Sequence, residues 1–91
     1  MGYERMGPAM TATEIVDEIL AKHGVTRGDV RGPSRAAKLA HARREIVLAL
    51  HTRVRIKGKP PSLSWIGQWI GRHYTSVLWY LQNPEPSRYV R

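Results

Sequence analysis

The sequence predicts an all-α fold, a small bundle of four to five helices that contains a helix-turn-helix. Three observations lead there. Apolar residues recur at steps of three and four through most of the chain, the spacing of one helical face. Residues that start and stop helices bracket those stretches. Between Ser62 and Gln82, two short apolar stripes are separated by a glycine, the pattern of two helices joined by a tight turn.

Taken in order, residues 1–10 show no apolar periodicity and read as a flexible leader. Thr11 and Glu14 have the spacing of a capping box, in which hydroxyl and carboxylate each satisfy a free amide at a helix start. Ile15, Ile19 and Lys22 then share a face, with Val16 and Leu20 beside it, and Gly24 ends the helix. Val25 to Val30 reads as a brief helical turn whose two valines are expected under the first helix. Arg31-Gly32-Pro33-Ser34-Arg35 is a breaker cluster, with Ser34 expected as the N-cap of a long helix reaching about Arg53. On it Leu39, Ala42, Ile46, Leu50 and Arg53 share one face, with Val47 and Val54 adjoining. Arg35, Lys38, Arg44 and Glu45 are expected on the opposite, solvated face. Arg55 to Pro61 forms a basic linker that Pro60-Pro61 keeps extended. The domain is expected over 11–83, with 84–91 a flexible tail.

The helix-turn-helix begins after this linker. Leu63, Ile66, Gly67 and Ile70 make the first apolar face, and Gly71 supplies the left-handed backbone that closes it. Val77, Leu78 and Leu81 are expected as the buried side of a second helix over about 74–82, stopped by Asn83-Pro84. Gly67 allows close approach of the second helix. His73, Thr75, Ser76 and Trp79 are left for its outer face, none of them acidic.

Charge bears on the choice of partner. Fifteen Lys and Arg against seven Asp and Glu give +8 in 91 residues, with a pI near 10.6. No acid falls between Glu45 and Glu85, whereas Arg53, Arg55, Lys57, Lys59 and Arg72 all do. A one-sided positive field of this kind attracts polyanions, nucleic acid first. There is no cysteine, hence no disulfide framework or thiolate metal site. No apolar run approaches the ~20 residues of a membrane span, and no signal peptide is evident. Phosphate-loop and dinucleotide glycine motifs are missing, and the four histidines lack metal-ligand spacing. No catalytic residue, metal, cofactor, membrane partner or small-molecule substrate is therefore expected, and the protein is not expected to be an enzyme.

Leu63-Ser64-Trp65-Ile66-Gly67 followed by Gly71-Arg72-His73-Tyr74-Thr75-Ser76-Val77-Leu78 resembles the C-terminal DNA-binding domain of the bacterial replication initiator DnaA. The likeness extends upstream over about Ile15 to Leu50. It implies a stand-alone domain of the DnaA C-terminal or Trp-repressor-like kind, without the ATPase part. The family reads Gly-Arg-Asp-His-Thr-Thr-Val-Leu in the second segment. This chain has His73-Tyr74 for the Asp-His pair and Ser76 for the second Thr; of the family's three base readers only Thr75 is unchanged. The resemblance also implies a minor-groove arginine at a helix start, the place of Arg35, although the register up to Arg43 is about two residues longer here. The linker is longer and more basic than the family's connection.

Together these readings lead to a sequence-preferring double-stranded DNA-binding protein, bacterial or phage, located in the cytoplasm at the nucleoid. His73, Tyr74, Thr75 and Ser76 are the expected base readers. Arg35, Lys38, Arg55, Lys57, Lys59 and Arg72 are the expected phosphate or minor-groove contacts, with Arg72 also within reach of a guanine. The expected use is transcriptional regulation, with the transcription machinery as a candidate protein partner. The alternatives are an accessory role at a replication origin, or a protein-interaction module built on Trp65, Trp69 and Trp79.

Overall fold

The computed structural model describes residues 11–83; the expected leader over 1–10 and tail over 84–91 lie outside the described residues. The described residues form five helices: α1 (Ala12–His23), α2 (Arg27–Arg31), α3 (Ala37–Arg53), α4 (Leu63–Ile70) and α5 (Tyr74–Gln82). Among the described residues the β-structure amounts to one isolated Ile56–Lys59 bridge.

Each helix starts and stops for local reasons. The Thr11 hydroxyl accepts from the Glu14 amide at 3.2 Å and the Glu14 carboxylate accepts from the Thr11 amide at 2.9 Å, the expected capping box. Gly24 closes α1 at φ 67, with its N–H on Ala21 O and the Val25 N–H on Leu20 O, the 6→1 and 5→2 pair of a Schellman motif. A second capping box, Thr26 with Asp29, opens α2; hydrogen bonds from the Thr26 backbone and side chain hold the Asp29 carboxyl below its ordinary pKa.

The start of α3 corrects an expectation. Ser34 accepts from the Ala36 amide at 3.2 Å in the loop, and the N-cap is Ala36, without a side-chain bond. The hydroxyl stabilises a local turn two residues short of the helix, a conformation serine competes for readily.

Helix α3 is the spine. It packs against α1, α2, α4 and α5, and α2 rests on both α3 and α4. Val25 stays with α1 through its Schellman turn, and both Val25 and Val30 are buried in the core that α1 shares with α3, α4 and α5. The core comprises Ile15, Val16, Ile19 and Leu20 of α1, Leu39, Ala42, Ile46, Val47 and Leu50 of α3, Ile66 and Ile70 of α4, and Val77 of α5. Full burial of each large aliphatic side chain stabilises by about 1.5–3 kcal/mol. Arg53, placed by periodicity on the same face as Leu50, is exposed at the last turn.

Two arginines of α3 are buried. Arg44 was expected on the solvated face, yet it is 7% exposed, with Nη1 3.2 Å from His41 Nδ1 and Nε without a hydrogen-bond partner among the described residues. Arg43 is 3% exposed. Glu45 is half-buried and ties α3 to the end of α1, its carboxylate 2.9 Å from Lys22 Nζ and 2.8 Å from His23 Nε2.

Candidate nucleic-acid interface

The α4–α5 turn depends on two glycines that nothing larger can replace without movement. Ser62 caps α4 by accepting from the Trp65 amide at 3.1 Å, and Gly71 ends it at φ 63. The Arg72 N–H then reaches back to Gly67 O at 2.9 Å. A Cβ on Gly67 would collide with the Arg72 carbonyl oxygen and sit 3.4 Å from Val77 Cγ2; one on Gly71 would lie 2.9 Å from Arg31 O. Gly67 thus admits the turn into α5, and Gly71 admits the last turn of α2.

The carbonyl ends of α2 determine what lies next to this turn. Helix C-termini leave carbonyls without intrahelical partners, and cations there also complement the helix dipole. Arg43 Nε donates to Val30 O at 2.8 Å, and its Nη2 donates to Gly32 O at 3.1 Å. Arg72 Nη2 donates to the same Gly32 oxygen at 2.8 Å, and its Nη1 to Ile70 O and Gly71 O at 3.3 and 3.2 Å. Burial lowers the Arg43 pKa below its ordinary value and the Arg72 charge adds to that, with Tyr80 opposing; a guanidinium stays charged nonetheless.

Arg72 therefore has a different first task from the phosphate or guanine contact expected of it. It is half-buried and its guanidinium is engaged by three protein carbonyls. Its effect is to fasten the α2–α3 loop beside the start of α5. Arg35 in that loop and Lys38 in the first turn of α3, both exposed, lie at the same end of the bundle as the first turn of α5.

On α5 the expected readers separate. His73 is the N-cap rather than a helix-face residue: its Nδ1 accepts from the Thr75 amide at 3.3 Å and lies 3.1 Å from Thr75 Oγ1. That assigns the ring proton to Nε2. The Tyr74 ring leans on His73, centroids 4.4 Å apart, and is exposed. Thr75 is exposed, whereas Ser76 is half-buried on a flank.

Leu78 was expected inside and is 40% exposed; Val77, Tyr80 and Leu81 face the core instead. The reason is the 3.6-residue period: positions three and four beyond Val77 share its face, while the next residue is turned about 100° away. Trp79 is 50% exposed, so the outer surface of α5 combines Thr75 and Trp79 with Tyr74 and Leu78 at its edge. It is more apolar than expected.

The linker cations lie elsewhere. Arg55 Nη1 donates to His51 O and Val54 O at 3.0 and 2.9 Å, closing the end of α3. Lys57 at φ 54 and Gly58 at φ 82 form a two-residue turn between Ile56 and Lys59, which exchange backbone bonds of 2.7 and 3.1 Å. Positive φ at both central residues is the type I′ arrangement of tight hairpins. The basic stretch is thus a compact turn with Lys57 and Lys59 exposed. It follows the far end of α3, whose 17 residues span roughly 25 Å at 1.5 Å each. Arg35 and Lys38 stand at the start of α3, after the Gly32 carbonyl that Arg72 engages just before α5, whereas Arg55, Lys57 and Lys59 follow the opposite end of α3.

Sequence reasoning missed Arg43 and Tyr80. Arg43 had a signal, since it lies four residues after Leu39 and four before Val47, on the apolar face. Among the described residues no group of acids and histidines is arranged to hold a metal ion, and no helix is long and apolar enough to cross a membrane. Comparison with known proteins adds no relative: no family model, curated protein or solved structure matches the chain.

Proposed function

We propose that this protein binds double-stranded DNA with sequence preference, placing α5 in the major groove, and that it serves as a small regulator of transcription. The observation that supports this most is the joint between Arg72 and Gly32. It ties the loop that carries the exposed Arg35, and leads to the exposed Lys38, to the residue that precedes the exposed Tyr74 and Thr75. Phosphate contacts position a duplex while base-edge contacts specify it, and this end of the bundle offers side chains for both. Thr75 can give its hydroxyl to a base or its methyl to thymine, and the N-terminus of α5 favours an anion. No acid occurs from Ile46 to Asn83 to oppose the phosphates.

Selection of bound duplexes from a random pool, followed by affinity measurements across a salt series, tests the proposal. An enriched site and a steep loss of affinity with salt are expected from counterion release. Thr75→Ala should weaken the selected site by about 1–3 kcal/mol and leave scrambled duplex nearly unchanged. A pool with no enriched sequence, or affinity indifferent to salt, would refute it.

A further inference from the structure

Away from α5, a notch of about 460 Å³ opens between α2 and α4, lined by Arg27, Arg31, Trp65, Gln68 and Trp69. We infer that this notch docks an acidic segment of a second protein, taking a large apolar side chain against the tryptophan pair and a carboxylate on Arg31. The inference stands apart from duplex binding.

The walls are prearranged. Trp65 and Trp69 meet edge to face at 5.8 Å and 66°, four residues apart on α4 and both half-buried against the core. The Arg27 guanidinium lies 5.5 Å from the Trp69 ring centre and is held there by Asp17, whose Oδ1 is 2.8 Å from Nη2 and 3.2 Å from Nε. Such ring–cation contacts and a fixed fork leave little side-chain freedom to lose on binding.

Arg31 supplies the uncompensated charge. Its backbone is packed against Gly71, the residue is exposed, and among the described residues its guanidinium has neither hydrogen bond nor ion pair. Among the described residues no acid lines the notch. Tryptophan and arginine are also the residue types on which protein interfaces concentrate their binding energy.

A nucleic-acid base fits this site less well. Stacking needs an open ring face, but Arg27 covers Trp69, and Trp65 meets that ring edge-on rather than parallel to it. A branched or aromatic side chain can instead pack against the outer surface of the indole pair within the notch. The site is also turned away from the reading helix: Trp65 and Trp69 are each two residues from Gly67, roughly 200° around α4, and Gly67 faces the turn into α5. Peptide and duplex therefore use different faces.

The test uses the full chain labelled with nitrogen-15, whose three indole N–H signals report separately on Trp65, Trp69 and Trp79. The probes are the acetylated, amidated hexapeptides Glu-Asp-X-Leu-Glu-Glu, with X as Phe, Leu or Tyr. At least one should move the Trp65 and Trp69 signals and leave Trp79 in place. Arg31→Ala and Gln68→Glu, both at exposed positions, should each weaken it about tenfold while leaving the thermal midpoint unchanged. Serine at both apolar peptide positions should abolish the shifts. The inference is overturned if none of the peptides moves these signals, if all three indoles move alike, or if the serine peptide binds equally well. It is also overturned if an oligothymidylate displaces the peptide and produces the same shifts, which would make the notch a base platform.

Discussion

The same substitution should have opposite effects at two glycines. Alanine at Gly67 gains about 1 kcal/mol from helix propensity. Against that, its Cβ collides with the backbone oxygen of Arg72, which cannot swing aside as a side chain can, and crowds Val77, the buried anchor of α5, at 3.4 Å. Forcing extra volume into such a joint costs about 1–3 kcal/mol. Displacing the turn also weakens the 2.9 Å Arg72–Gly67 bond, about 0.5–1.5 kcal/mol more. Gly67→Ala should therefore destabilise by a net ~1–3 kcal/mol, lowering the melting midpoint by roughly 4–8 °C per kcal/mol. At Gly28, in exposed α2, a Cβ meets only Thr26 Oγ1 at 3.7 Å, so Gly28→Ala should stabilise by about 0.5–1 kcal/mol. Urea and thermal unfolding followed by circular dichroism read both. A Gly67→Ala protein as stable as Gly28→Ala would refute the close approach on which the orientation of α5 rests.

Arg72→Ala removes donors from a half-buried cluster of carbonyls and should cost about 1–3 kcal/mol; unchanged urea stability would return Arg72 to the surface role expected from the sequence. Lys57→Ala with Lys59→Ala, in an exposed turn beyond the far end of α3, should leave the salt slope of duplex binding nearly unchanged; a slope lower by about one to two units would bring that turn into phosphate contact. For Glu45, burial would raise the carboxyl pKa, but bonds from His23 and Lys22 outweigh it, and the pKa falls below 4.5. The folded state thus favours the charged form, so the contribution is present above pH 4.5 and is lost as pH falls through the folded pKa. Acid unfolding curves should be less steep for Glu45→Gln than for the native chain, and identical curves would argue against the His23–Glu45–Lys22 cluster.

The order of the helices and most of their ends were legible in the sequence because their causes are local. A capping box is two residues three apart, as at Thr11 and Glu14. A left-handed stop is a single glycine, as at Gly24 and Gly71. An apolar stripe such as Leu39, Ala42, Ile46 and Leu50 needs only the helical period. Where local signals competed, local reasoning misplaced the boundary: Ser34 had the chemistry of a cap but uses it in the preceding loop.

The surface proposed to read DNA was less legible because it is made by contacts between distant segments. Arg72 has the appearance of a DNA-facing cation until the Gly32 carbonyl, 40 positions earlier, engages it. Arg43 and Arg44 follow one another in a basic run, and only the carbonyls at the end of α2 and the packing around α3 decide that both are buried. The sequence by itself determined an all-α bundle with a glycine-hinged pair of short helices, since propensity, caps and periodicity act over three or four residues. Tertiary structure alone decided which cations remain for a partner and which are occupied within the protein. A guanidinium is bound by whatever acceptors the fold brings within about 3 Å, and those acceptors come from other helices.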